Sequence, residues 1–129
     1  MAFDWINFVN LAREFERGTS QATTADEREA MLRSAISRAY FGAYCHARNY
    51  ALKFLGFQGS MDVDDHSRLR KHIKDKRRAE VAKKLEVLRL WRNFCDYDDI
   101  VTINLAEAVS KAIHAADYVF NALKPPQPR

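Results

Sequence analysis

The sequence contains few residues that interrupt helices, with four glycines and three prolines among its 129 residues. Gly56 and Gly59 belong to one short segment, and all three prolines lie within the last five residues. Because helix interiors tolerate glycine poorly and proline worst of all, the rest of the chain can form long uninterrupted helices. We therefore predict an all-α protein, a four- to five-helix up-and-down bundle.

Cysteines and long apolar runs are also scarce. Cys45 and Cys95 stand alone, without a CxxC pair or a histidine at ligand spacing, so we expect two reduced thiols used for packing and neither a metal nor a cofactor. No apolar stretch approaches the ~20 residues of a membrane span. The first ten residues also lack the basic segment of a secretory signal. These features favour a cytoplasmic chain without a membrane segment.

Apolar residues recur at helical spacing through most of the chain. The longest such segment, Asp26 to Leu55, has its stripe at Leu32, Ile36, Ala39, Ala43, Ala47, Tyr50 and Phe54. Other helices are predicted over residues 3–17, 66–74, 78–91 and 104–123, with a polar turn after Trp91. Residues 1–123 then form one domain, and 124–129 a disordered proline-rich tail.

Local signals set the predicted helix ends and the core. Thr24, with Glu27 three residues later, forms a capping box, and Gly56 terminates the long helix. Asp64 or Asp65 can cap the short helix that follows. The positions expected to be buried are Leu32, Ile36, Ala43, Leu85, Leu88, Val109 and Ile113. Three further stripes are expected to face inward: Trp5, Phe8, Leu11 or Ala12, and Phe15; Leu69 and Ile73; Ala106, Ala116, Val119 or Phe120, and Leu123.

Positive charge is concentrated in one segment. The net charge of the chain is only +4, yet residues 66–84 carry nine lysines and arginines against two acidic residues, a local charge of +7. Such a segment can bind nucleic acid, an anionic ligand or an acidic partner, or it is a solvated helix face. The candidate ligand-binding residues within it are His66, Arg68, Lys71, Lys74, Arg77 and Arg78.

The segment WRNFCDYDD, residues 91–99, combines one arginine with three aspartates. Arg92 follows Leu88 by four residues and therefore lies beside the buried stripe, where an arginine needs polar partners. One interpretation is an internal clamp between Arg92 and Asp96 or Asp98. The other is a site in which Arg92 and Asn93 donate to a phosphate, because a guanidinium matches phosphate oxygens as a fork.

Three motifs resemble those of the small stand-alone HEPN-domain proteins. SAISRAYFGAYCHARNYALKFLGF, starting at Ser34, is similar to their long helix, and DDHSRLRK, starting at Asp64, to their H-S-x-L segment. RNFCDYD, starting at Arg92, resembles their R-x-x-x-D-Y-D segment. The three occur in the family's order over residues 34–98.

The resemblance implies a four- or five-helix bundle that forms a homodimer and binds RNA or nucleotide. It also implies a role in a toxin–antitoxin or defence system, with a nucleotidyltransferase as partner protein. Many HEPN proteins are metal-independent ribonucleases with an R-x(4–6)-H motif, in which the arginine holds the phosphate and the histidine transfers protons. Here the positions five to seven after Arg92 are Tyr97, Asp98 and Asp99, so that histidine is absent.

Three hypotheses follow. The first is a module that binds nucleotide or RNA, with Arg92, Asp96 and the basic candidates as ligand-binding residues. The second is a ribonuclease with a non-standard site, for which the catalytic candidates are Arg92, Asn93 and Tyr97. His66, His72, His46 and His114 are the histidines that could substitute for the missing one. The third is a structural interaction domain with an internal Arg92 clamp.

Overall fold

The computed structural model describes residues 2–60 and 65–126, and these residues form an all-α bundle without a strand. The helices are α1 (Ile6–Gly18), α2 (Ala25–Phe54), α3 (Asp65–Asp75), α4 (Ala79–Tyr97) and α5 (Leu105–Ala122), with a 3-10 turn (Thr19–Gln21) after α1. The predicted fold class is confirmed. Within the described residues, no helix is both long and apolar enough to cross a membrane.

Helix α2 is the central element, in contact with all four of the other helices. Small residues let α1 come close to it: a Cβ on Gly42 would lie 3.0 Å from both the Trp5 carbonyl oxygen and a Val9 methyl carbon. The seven positions predicted as core are all buried. Burial of this apolar face is the main force that holds a helix bundle together.

The predicted ends of α2 are confirmed, with one difference in detail. The Glu27 N–H donates to Thr24 Oγ1 at 3.0 Å, but the Glu27 carboxylate accepts from Thr23 rather than from the Thr24 amide. At the other end, Gly56 has a φ of 68°, and the Phe57 N–H donates to the Ala51 carbonyl at 3.1 Å. A left-handed residue at this point suits glycine, which has no Cβ.

The prediction of a polar turn directly after Trp91 is wrong, because α4 continues to Tyr97. Cys95 is buried in the core, which gives this last turn an apolar anchor. Arg33 of α2 donates to the carbonyls of Cys95, Asp98 and Asp99 at 2.6–3.1 Å. Carbonyls at a helix C-terminus lack partners within the helix, so this arginine stabilises the end of α4.

Smaller errors concern the inward faces. Phe54 is 43% exposed and Tyr50 only partly buried, so the α2 stripe ends earlier than predicted. Ala106 is exposed in the first turn of α5, and in α1 the inward residue is Ala12 rather than Leu11. Helix α1 starts at Ile6, three residues later than predicted. Asp64 and residues 127–129 lie outside the described part of the chain.

Candidate functional site

Helices α2 and α3 place a histidine in contact with two tyrosines. Tyr40 and Tyr44 are one turn apart on α2, and His66 is the second residue of α3. The Tyr40 hydroxyl is hydrogen-bonded to His66 Nδ1. The Tyr44 ring stacks on the imidazole with ring centroids 4.0 Å apart and planes 7° apart. Two contacts therefore hold the His66 ring in one orientation.

Helix α4 brings Arg92 next to Tyr40. The guanidinium carbon of Arg92 lies 4.8 Å from the ring centroid of Phe41, 5.4 Å from that of Tyr97 and 5.9 Å from that of Tyr40. These are cation–π distances. Tyr40 thus contacts both Arg92 and His66, and the histidine that the sequence could not position lies in the same site as the arginine.

The polar partners of Arg92 combine features of both interpretations made from the sequence. Its Nε lies 2.9 Å from Asp96 Oδ2, and its Nη1 donates to Asn93 Oδ1 at 3.1 Å. The Nε–H does not point at Asp96, so this buried nitrogen has no directed hydrogen bond among the described residues. The side chain is 18% exposed, against 28% for Asp96. Arg92 is therefore only loosely paired with Asp96, and its guanidinium can still donate hydrogen bonds.

Two further arginines, Arg70 of α3 and Arg89 of α4, act on the same histidine. Burial lowers the pKa of His66 below its usual 6.5, and the positive charges of Arg89, Arg92 and Arg70 lower it further. Burial raises the pKa of Tyr40, so its hydroxyl keeps its proton. Within the described residues Arg70 and Arg89 form no ion pair. We call Tyr40, Tyr44, His66, Arg70, Arg89 and Arg92 the Tyr40 cluster.

One carboxylate borders this cluster on the α3 side. Asp65 accepts hydrogen bonds from the Ser60 amide and hydroxyl and from Arg68, whose Nη1 lies 2.8 Å from Asp65 Oδ1. The same arginine donates to the Gln58 carbonyl at 2.9 Å. Arg68 therefore organises the loop before α3, and the structure does not bring it to Arg92.

The other basic candidates are dispersed. Lys71 pairs with Asp75 at 2.8 Å on an exposed face, and Lys74 is exposed. Arg77 has a positive φ of 64° in the turn between α3 and α4. Arg78 donates to the Lys76 carbonyl and lies 5.8 Å over the Tyr50 ring. None of the four joins the Tyr40 cluster, and each has different surroundings.

The remaining histidines have other surroundings. His46 Nε2 lies 2.8 Å from the Leu123 carbonyl oxygen, and His72 Nε2 lies 2.6 Å from that of Leu55. Each ring ties its helix to the C-terminal end of another helix, His46 to that of α5 and His72 to that of α2. His114 is exposed on α5, beside Tyr118. His66 is therefore the histidine that shares a site with Arg92.

Reasoning from sequence missed Arg89 and did not single out Tyr40, Tyr44 or Arg70 as site residues. Spacing carried a usable signal for three of them. Tyr40 and Tyr44 are four residues apart, and Arg89 precedes Arg92 by three, so each pair shares a helix face. Arg70 carried no such signal, because its effect on Tyr40 depends on how α3 packs against α2.

The fold and site define an all-α bundle with an arginine- and tyrosine-rich cluster formed by three helices. Comparison of the chain with protein-family models, with curated proteins and with solved structures finds no match.

Proposed function

We propose that the chain is a HEPN-like module that binds RNA or nucleotide by holding a phosphate at the Tyr40 cluster. The observation that carries the proposal is the position of Arg92, which lies beside Tyr40, the partner of His66, and whose buried Nε has no directed hydrogen bond among the described residues. The charges of Arg70 and Arg89 act on the same His66–Tyr40 pair. Asp96 pairs with Arg92, and this contact is poorly directed. A phosphate offers the oxygens that these guanidinium groups lack.

Tyr97 supplies the second half of an RNA site. Its ring is 71% exposed and lies 5.4 Å from the Arg92 guanidinium carbon. Single-stranded RNA is held by modules that combine positive charge along the backbone with aromatic rings on which bases stack. A phosphate on Arg92 would place the neighbouring base within reach of this ring.

Titration of a fluorescently labelled single-stranded RNA at low salt tests the binding function. We expect Arg89→Ala to weaken binding by about 10- to 100-fold, since hydrogen bonds to charged groups contribute about 1.5–3 kcal/mol. Arg17→Ala is the matched control, because Arg17 lies far along the chain on an exposed face of α1. Wild-type protein that binds no RNA or nucleotide, or equal affinities for the two variants, would contradict the proposal.

We also propose that the module is a homodimer. Leu90, Phe94 and Tyr97 lie in the second half of α4 and Ile100 follows it, with exposures of 50%, 40%, 71% and 82%. The first three are spaced i, i+4, i+7 and share one face. An exposed apolar face of this kind is typical of an interaction surface. Its position next to Arg92 would bring two Tyr40 clusters together.

Light scattering of Leu90→Glu/Phe94→Glu tests the dimer. Leu52→Glu/Phe54→Glu is the matched control, because those residues are 47% and 43% exposed at the end of α2. A monomer for the first variant and a dimer for the control is the expected result. The toxin–antitoxin or defence role, the nucleotidyltransferase partner and the cytoplasmic setting rest on the sequence and stay predictions.

A second candidate function, metal-independent RNA cleavage, is favoured by the position of His66. In the His66 tautomer that carries its proton on Nδ1 and donates it to the Tyr40 oxygen, Nε2 has a free lone pair and no hydrogen-bond partner among the described residues. It could take the proton of a ribose 2′-hydroxyl as that oxygen attacks phosphorus. The bond to the 5′ oxygen then breaks, that oxygen takes a proton from water, and Arg92 stabilises the added negative charge.

Cleavage of an unmodified RNA in the presence of EDTA tests this candidate. We expect His66→Gln to reduce the rate by about 10²–10⁴-fold, the usual contribution of a general base, while binding of a 2′-O-methyl RNA persists. His72→Gln is the control, since His72 contacts a backbone carbonyl on another part of α3. Binding without cleavage by the wild type would leave the binding function and exclude the second candidate.

A further inference from the structure

Helices α4 and α5 form a groove that is separate from the Tyr40 cluster. Its volume is about 500 Å³, and its lining comprises Glu80, Lys83, Lys84, Val87, Trp91, Lys111, His114, Ala115 and Tyr118. Apart from the neighbours 83/84 on α4 and 114/115 on α5, the lining positions of each helix follow each other at intervals of three or four, so each helix contributes one continuous face. We call this the α4–α5 groove. It shares no residue with the Tyr40 cluster.

The lining of the groove has an apolar part, which we call its floor, and a basic part formed by lysines. Val87, Trp91 and Ala115 are buried or partly buried and form the apolar part. Tyr118 adds a ring that is 40% exposed. Aromatic side chains of this kind present a flat apolar surface on which another ring can stack.

The charged groups of the groove are weakly neutralised. Three lysines face a single lining carboxylate, that of Glu80, which is 3.8 Å from Lys84 Nζ. Lys84 also lies 5.5 Å over the Tyr118 ring. Lys111 pairs with Glu107 at 2.9 Å on an exposed surface. Lys83 forms no ion pair with any residue in the described ranges.

From this arrangement we propose that the α4–α5 groove binds a small aromatic anion, a flat ring that carries a phosphate or a carboxylate. The ring lies on the floor between Trp91 and Tyr118, and the anionic group pairs with Lys83 and Lys84. Lys84 moves from its contact over Tyr118 to the ligand. That movement exchanges two weak contacts for one charge-assisted hydrogen bond.

The size of the groove favours a small molecule over a protein. Small-molecule sites have volumes of roughly 300–1,000 Å³ and a mostly apolar lining with a few polar groups. The α4–α5 groove falls in this range. A stable protein partner would instead contact about 20–30 residues on this side, and the groove is lined by nine.

Tryptophan fluorescence offers a direct assay, because the chain has two tryptophans and one of them, Trp91, lines the groove. Trp5→Phe leaves Trp91 as the only reporter. The Trp5→Phe variant is titrated with AMP as the aromatic phosphate and with benzoate as the aromatic carboxylate. Adenosine lacks the charge, and inorganic phosphate lacks the ring. We expect a saturable change with AMP or benzoate, and at least tenfold weaker binding of adenosine and inorganic phosphate.

Variants separate this site from the Tyr40 cluster. Lys83→Ala/Lys84→Ala should weaken binding about tenfold or more, whereas Lys53→Ala/Lys74→Ala, which removes two exposed lysines elsewhere, should not. Arg92→Ala should leave the affinity unchanged. If Arg92→Ala abolishes the signal, the ligand occupies the Tyr40 cluster and the groove proposal is wrong. The absence of a saturable change with both AMP and benzoate would also overturn it. AMP binding alone identifies a phosphate ligand, and benzoate binding alone a carboxylate ligand.

Discussion

The two sides of α2 are built in different ways. Towards α1 the contact is close and mainly apolar, with Gly42 against the Trp5 carbonyl and Val9, and Arg38 over the Phe8 ring. Towards α3 and α4, the same helix presents Ser37, Tyr40 and Tyr44, whose hydroxyls and rings meet Asp96, His66 and Arg92. Packing alone accounts for the contacts on the first side. The second side holds Arg92 with a poorly directed partner, which packing alone does not require, and the proposed phosphate site is placed there for this reason.

The largest expected effect comes from the buried apolar core of α2. Ile36 is fully buried on α2, and Ile36→Ala should reduce the free energy of unfolding by roughly 2–5 kcal/mol, because it removes buried methyl groups and leaves a cavity. Urea unfolding measures this value. A loss below about 1 kcal/mol would mean that the site collapses around the smaller residue.

The close approach of α1 and α2 is tested at Gly42. Gly42→Ala puts a methyl carbon 3.0 Å from the Trp5 carbonyl oxygen, and such overpacking costs roughly 1–3 kcal/mol, offset by up to about 1 kcal/mol of helix propensity. The net loss of unfolding free energy should be about 0.5–2 kcal/mol. Gly18→Ala is the control, since the nearest atoms to its Cβ are 3.9 Å away. Equal stability of both variants would contradict the close contact.

Substitution of Arg92 tests the proposed phosphate site. The side chain is 18% exposed, and its partner Asp96 stays partly solvated and accepts from Ser37 at 3.2 Å. Arg92→Ala should therefore lower the unfolding free energy by only about 1 kcal/mol, closer to a surface pair than to a buried clamp, while RNA binding is lost. A thermal melt beside the RNA titration measures both. Destabilisation of about 3–5 kcal/mol in a protein that binds no RNA would identify a structural clamp.

The smallest expected effect is a pH dependence of stability from His66. Burial and three arginines lower its pKa in the folded protein below 6.5, so the unfolded chain binds the proton more readily. The contribution to stability is therefore complete above pH 6.5 and is lost as the pH falls through 6.5 towards the folded-state pKa. His66→Gln should flatten this part of the stability curve. His46, whose pKa burial also lowers, contributes in the same sense and stays in both proteins.

Most of the fold could be predicted from the sequence because its signals are local. Helical spacing located the core positions, and Thr24 and Gly56 located the ends of α2. The end of α4 could not be found in this way. The polar residues after Trp91 look like a turn, yet Arg33, which lies 62 residues from Cys95 in sequence, satisfies the terminal carbonyls and lets the helix continue.

By itself, the sequence determined that this chain forms helices, which faces of them are buried and that Arg92 lies beside the core. Only the tertiary structure decided which polar groups meet. Arg92 and His66 are on different helices, and their shared contact with Tyr40 depends on the packing of α3 and α4 against α2. The α4–α5 groove likewise exists only where two separately encoded faces lie side by side. Periodicity specifies one helix at a time, whereas a site is set by distances between helices, which depend on how the side chains interlock.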